Sequence, residues 1–172
     1  KMEGGRRIVP HVKAVVDAGM VVQGHIGITP QSVAAQGGFG AQGRTLEGTL
    51  ALLDDAEALQ EAGATSIVLE GLPADSAGVI SERLKIPTIS TGAGPHCDAQ
   101  SLNFMDVLGI YQMFTPKFVK KFAMLGDPIR TALGTYADEI RSGAYPAPEQ
   151  CYSMREGEAE RLAGWLARNA KP

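Results

Sequence analysis

Four side chains capable of acid–base or metal chemistry stand near the ends of short apolar runs: Lys1 and Glu3, then His25, then Glu70. Lys1 and Glu3 are two residues apart, so on a strand they project to the same face. An ammonium and a carboxylate held together suit an anionic substrate and a hard cation. A Glu oxygen is the kind of ligand that Mg²⁺ takes, with one or two carboxylates and several waters. Glu70 closes the run Thr65-Ser66-Ile67-Val68-Leu69. A carboxylate at that position is partly desolvated and suited to taking a proton from carbon. His25 lies in Gly24-His25-Ile26-Gly27, where glycines allow a close approach of backbone or ligand. Each has a plainer alternative: a solvated strand end for Lys1 and Glu3, a structural salt bridge for Glu70, a structural imidazole for His25.

Other motifs carry less. The stretch from His25 to Arg44 is long and glycine-rich, as binding loops inside compact domains often are, and Thr29-Pro30 can start a short helix in it. It contains Gly38-Phe39-Gly40-Ala41-Gln42-Gly43, a literal G-x-G-x-x-G. That motif binds dinucleotides only where it directly follows a strand, and here it does not. Gly92-Ala93-Gly94 reads better as a tight turn than as an anion cradle. His96-Cys97 has no second His/Cys pair to complete a zinc site.

The elements that must position these residues alternate. Strands are expected at Met2–Gly4, Met20–Gly24, Thr65–Glu70, Ile86–Thr91 and Phe104–Leu108. Helices are expected over 7–18, 46–62 and 73–84, the second because Leu46, Leu50, Leu53, Ala56 and Leu59 share one face. Thr115-Pro116 and Asp127-Pro128 read as helix starts, Gly126 and Gly143 as stops, and a last helix is expected over 156–169. Strands alternating with helices mean an α/β fold with parallel strands, and the apolar runs imply burial on both sheet faces. In such folds functional groups gather at the carboxyl ends of the strands.

Composition narrows the function. With 16 Lys+Arg against 19 Asp+Glu the net charge is −3, which argues against a nucleic-acid partner. The chain is 44% hydrophobic and 20% charged, the balance of a folded globular domain. No apolar run reaches the roughly 20 residues of a membrane span, and no secretory leader is visible. Cys97 and Cys151 are too few for a disulfide framework, so a reducing cytoplasm is the expected location.

Taken in order, several stretches resemble the ketopantoate hydroxymethyltransferase family. They are Lys1–Gly5, Gly24-His25-Ile26-Gly27-Ile28-Thr29-Pro30-Gln31-Ser32, Gln42-Gly43-Arg44, Val68–Gly71, Ile86–Ile89, Gly92–Gly94 and Phe114-Thr115-Pro116-Lys117-Phe118-Val119-Lys120. The resemblance implies a (β/α)₈ TIM barrel, of which this chain supplies about five strands and the C-terminal helices. It divides the chain into residues 1–143, barrel, and 144–172, linker and last helix. It implies a homodecamer, Mg²⁺, and hydroxymethyl transfer from 5,10-methylenetetrahydrofolate to 3-methyl-2-oxobutanoate, forming 2-dehydropantoate in pantothenate (coenzyme A precursor) biosynthesis. On the matching positions Glu70 would be the catalytic base, Lys1 and His25 would bind the keto acid, and Glu3 would serve the metal directly or through water. No residue is assigned to the folate.

The family's earlier strands, with two further metal-site aspartates and a substrate-contacting serine, precede the Lys-x-Glu strand and are not in this sequence. A barrel of this type takes about 250 residues. The expectation is therefore a C-terminal portion, inactive when alone. Two alternatives stand beside it: another Mg²⁺-dependent enzyme of 2-oxo acids, of the phosphoenolpyruvate/isocitrate lyase type, and a non-catalytic barrel remnant.

Overall fold

The computed structural model describes residues 1–32, 38 and 40–169. They divide into two compact units, Lys1–Met124 and Leu125–Pro172.

The first unit is built on a parallel sheet of five strands in sequential order: β1 (Met2–Glu3), β2 (Gln23–Gly27), β3 (Ser66–Glu70), β4 (Thr88–Thr91) and β5 (Ala99–Gln100). Three helices make the crossovers: α1 (Val9–Asp17), α2 (Leu46–Glu61) and α3 (Ala74–Arg83). Crossovers between parallel strands are right-handed. When every step also moves the same way along the sheet, all crossover helices fall on one side. That arrangement distinguishes a segment of a (β/α)₈ barrel from an open doubly wound sheet, whose reversal of strand order puts helices on both faces.

The strands alternate accordingly. Ile26, Ile67 and Leu69 point to the helical side and pack with Val12 of α1, Leu53, Ala56 and Leu59 of α2, and Ile80 of α3. The opposite face carries Glu3, His25, Ser66 and Glu70, in a register that aligns Glu3 with His25, His25 with Val68 and Gly27 with Glu70. Both faces of β2 and β3 are buried, as the apolar runs imply, and the second face differs in carrying polar groups beside Val68.

Two strands differ from expectation. The second begins at Gln23 instead of Met20, because the Met20 N–H closes the turn after α1 by donating to Val15 O. Met20 and Val21 are 56% and 80% exposed. His25 consequently sits in the middle of β2, not at its end. The segment Phe104–Leu108 is not a strand: Asn103 O accepts from the Asp106 and Val107 N–H groups and starts the short helix α4 (Phe104–Val107). The fifth strand lies earlier, at Ala99–Gln100, held to β4 by Asp98, whose carboxylate accepts from Thr88 N (2.7 Å) and Thr88 Oγ1 (3.0 Å). These bonds hold the Asp98 carboxyl below its ordinary pKa.

Local signals explain the remaining boundaries. Thr45 caps α2, its Oγ1 accepting from Gly48 N. Asp55 of α2 accepts from Arg6 N at 2.8 Å, at the 3₁₀ turn Arg6–Ile8 that leads into α1. Thr115-Pro116 starts only a turn, closed by Val119 N to Pro116 O. Pro30–Ser32 form one 3₁₀ turn; the residues that would extend it, and Phe39 of the G-x-G-x-x-G stretch, lie outside the described residues.

The second unit holds α5 (Gly126–Ser142) and α6 (Glu158–Arg168). Gly126, expected as a stop, opens α5. Pro128 is then in the first turn, where its missing N–H costs nothing. Gly143 ends α5 in the left-handed region, as expected. Ile129, Leu133, Tyr136 and Ile140 line one exposed face of α5, and Leu162, Trp165 and Leu166 are exposed on α6. No helix among the described residues is long and apolar enough to cross a membrane.

Gly27 has the tightest surroundings at the end of β2. Its φ is +93°, and a Cβ there would collide with Glu70 O and the Leu72 side chain. The following Ile28 N–H donates to that same Glu70 O at 2.8 Å. The glycine thus serves a backbone approach and not a ligand. Gly27→Ala is expected to destabilise the full-length protein by about 2–4 kcal/mol, read from denaturant unfolding.

Candidate active site

The polar face of the sheet brings all four sequence-derived residues together. His25, in mid-strand, is fully buried. Its Nδ1 lies 2.9 Å from Lys1 Nζ and 3.4 Å from Glu3 Oε1, and its Nε2 lies 3.2 Å from Glu70 Oε2. Lys1 Nζ also donates to Glu3 Oε1 at 3.2 Å. The three strands β1, β2 and β3 therefore contribute one continuous line of groups, ammonium and carboxylate to imidazole to carboxylate.

The geometry selects a tautomer. A lysine ammonium carries donors only. Its approach to Nδ1 makes Nδ1 the acceptor, so the ring proton belongs on Nε2, facing Glu70. At 3.2 Å the pair is in ion-pair reach but out of line, and Nε2 makes no hydrogen bond despite its burial. An unsatisfied buried donor costs about 1–3 kcal/mol. Such an atom can be tolerated where a ligand's oxygen, or a small rotation of the neighbouring carboxylate, completes it.

The two carboxylates are in different settings. Glu3 is 10% exposed, and the Gln31 N–H donates to its Oε2 at 3.2 Å. Burial pushes its carboxyl pKa up, but the Gln31 N–H, the Lys1 ammonium and the neighbouring His25 ring together outweigh burial and hold it below the ordinary carboxylate range. Gln31 belongs to the glycine-rich connection, and its backbone role leaves no mark in the sequence. Glu70 is 20% exposed and opens into a cleft of about 720 Å³ at the carboxyl ends of β3 and β4. The carboxylate expected to be partly desolvated is so placed.

The other motifs resolve plainly. Gly92-Ala93-Gly94 is a turn whose Ala93 N–H is taken by Ser90 Oγ at 3.0 Å. Cys97 packs partly buried against the core, and His96 lies exposed beside Gly78 of α3. The Gln42 N–H of the glycine-rich stretch donates to Gly71 O. Arg44 and Lys117, quoted within matching motifs but given no role from sequence, both line the cleft beside Glu70.

The donor set bears on the implied Mg²⁺. A Glu oxygen is the right donor type. Yet no group of three His, Cys, Asp or Glu among the described residues converges to hold a metal, and both Glu3 oxygens already have partners. These residues do not by themselves form a metal site.

A parallel sheet in sequential strand order with its ionisable groups at and near the strand ends is the architecture of a segment of a (β/α)₈ barrel. Comparison with known proteins is more specific. The sequence model of the family described as ketopantoate hydroxymethyltransferase matches residues 1–148. Among similar proteins, the 3-methyl-2-oxobutanoate hydroxymethyltransferase of Syntrophobacter fumaroxidans is 53% identical over 164 residues, 95% of this chain and 58% of that protein. That of Heliobacterium modesticaldum is 53% identical over 154 residues, covering 90% and 56% respectively. That of Syntrophomonas wolfei is 48% identical over 162 residues, covering 94% and 59%. The chain belongs to the ketopantoate hydroxymethyltransferase family, and it spans somewhat over half the length of these relatives.

The lowered Glu3 pKa has a directional consequence. Its stabilising contribution is present above the ordinary carboxylate pKa and is lost as pH falls through the lowered one. In metal-free buffer, Glu3→Gln is expected to lower the melting temperature of the full-length protein at neutral pH, with the difference shrinking toward acid. A difference that is constant with pH would contradict this role for Glu3.

Proposed function

We propose that this chain is the C-terminal part, with residues 1–143 in the barrel, of an enzyme that transfers a hydroxymethyl group to 3-methyl-2-oxobutanoate. The observation that carries the reading is the position of Glu70. It ends a buried strand, faces the His25 ring at 3.2 Å and forms part of the wall of the large cleft. Family membership supplies the reaction class.

In this reading Glu70 is the catalytic base and takes the proton from C3 of the keto acid. The resulting enolate carbon bonds to the one-carbon unit of 5,10-methylenetetrahydrofolate, both C–N bonds of that unit break, and water supplies the hydroxyl of 2-dehydropantoate. Tetrahydrofolate leaves with two protons, the one Glu70 took from C3 and one from the water. His25 and Lys1 bind the keto acid. Nε2–H is a donor for one of its oxygens, and the ammonium offsets its negative charge. Glu3 is the carboxylate this chain would offer toward Mg²⁺, and the described residues do not complete the ion's ligand set. Such an ion would act as a Lewis acid on the 2-oxo group. We place the enzyme in pantothenate biosynthesis in the cytoplasm, as a homodecamer.

Glu70→Gln tests the base directly. In the full-length enzyme it is expected to reduce exchange of the substrate C3 proton with solvent deuterium by at least about 10²-fold. Keto acid binding should be retained. Exchange at the wild-type rate would remove Glu70 from this role.

A further inference from the structure

Two adjacent arginines follow β1 and run in different directions. Arg6 ties the chain to α2: its backbone N–H donates to Asp55 at 2.8 Å, and its guanidinium pairs with Asp54 at 3.3 Å. Arg7 reaches the connection that follows β2, where its Nη2 donates to Ser32 Oγ at 2.8 Å. Ser32 closes the 3₁₀ turn Pro30–Ser32, its own N–H donating to Thr29 O at 2.8 Å. Gln31 of that same turn gives its N–H to Glu3 Oε2. Arg7 therefore grips the turn that touches the site, one residue from the contact itself.

The exit from β1 is shaped to permit this. Gly4 has a φ of +126°, and a Cβ there would crowd Arg7 Nε at 3.2 Å and Ile8 Cγ2 at 3.1 Å. A Cβ on Gly5 would overlap the Asp55 carboxylate. The Gly4 N–H donates to His25 O at 3.0 Å and fixes this exit against β2. The two glycines thus leave room for Arg7 on one side and for the anchor from α2 on the other.

The grip ends on the substrate-binding groups. Each Glu3 oxygen has its own partner: Oε2 takes the Gln31 N–H, and Oε1 takes Lys1 Nζ. Lys1 Nζ in turn lies 2.9 Å from His25 Nδ1. With Gln31 withdrawn, the Glu3 carboxylate is free to turn about its last torsion, which is broad for a Glu side chain. Lys1 then loses the fixed oxygen that holds it beside the imidazole.

We propose that Arg7 is a positioning residue for the keto acid: through Ser32 it holds the Gln31 N–H on Glu3, and with it the Lys1 ammonium beside His25. The proposal rests on the reading of Lys1 and His25 as the keto acid's binding groups. Its effect falls on binding and not on proton transfer, because Glu70 lies beyond the other nitrogen of the ring.

The test uses the full-length enzyme with 3-methyl-2-oxobutanoate and follows exchange of the C3 proton with solvent deuterium against keto acid concentration. Arg7→Ala and Ser32→Ala should each raise the half-saturating concentration about three- to tenfold, the worth of one partly exposed hydrogen bond. The saturated rate should stay within about twofold of wild type. The double variant should bind no worse than the weaker single one, since both remove the same bond. Arg7→Lys should recover most of the affinity, because a hydroxyl needs one donor and not a planar fork. Additive effects, a fall in the saturated rate alone, or wild-type affinity in Arg7→Ala would overturn the proposal. The Gln31 amide proton of the ligand-free protein gives a readout independent of the reaction. Its NMR signal should move upfield in Arg7→Ala and keep its place in Arg7→Lys, and an unmoved signal in Arg7→Ala would also overturn the proposal. Absence of exchange in wild type would count against the hydroxymethyltransferase reading alone.

Discussion

The imidazole of His25 bridges the space between β1 and β3, bonded to Lys1 through Nδ1 and facing Glu70 through an unbonded Nε2, and the geometry of the site follows from that bridge. A side chain this buried has few ways to satisfy both ring atoms. Lys1 occupies the acceptor nitrogen and thereby commits the proton to the other, which faces Glu70. Glu3 and Gln31 complete the β1 side of the cluster by holding the ammonium and the carboxylate in register. Without the bridge, Glu70 would have no neighbouring donor from β2, and the three strand ends would carry independent charges.

The bridge exists because of the sheet's one-sidedness. Sequential parallel order sends α1, α2 and α3 to the same face, where Ile26, Ile67 and Leu69 meet the helical core. The alternate residues of the same strands are then free to be polar. Burying a His, a Glu and a Ser on strands that also build a core would be costly if both faces met helices. Here a single residue's step along β2 separates Ile26, in the core, from His25, in the site. Gly27 lets the end of β2 lie against the Glu70 backbone, so the carboxylate's position is set by main chain as well as by its own rotamer.

Much of this was legible in the sequence, and the gaps have physical causes. The helix over 46–61 is plain because its apolar residues repeat at three and four. Lys1, Glu3, His25 and Glu70 were identifiable by type and by the motifs around them. The position of β2 was not: Met20 and Val21 are apolar, and only the turn after α1 and the register against Ser66 show that they lie outside the sheet. The strand at Ala99–Gln100 has no apolar signature, since Asp98 and the Thr88 backbone define it through hydrogen bonds. The contact of Gln31 N with Glu3, and the convergence of Arg44 and Lys117 on one cleft, depend on loop paths that periodicity does not encode.

The tautomer of His25 is the most direct test of this bridge. Imidazole nitrogen chemical shifts of the full-length protein, read by long-range proton–nitrogen correlation NMR at neutral pH, distinguish the two tautomers. The ring proton is expected on Nε2, with Nδ1 as the acceptor from Lys1, its signal shifting on Lys1→Met. A ring protonated at Nδ1, or one unaffected by loss of the Lys1 ammonium, would contradict the bridge on which the site is built.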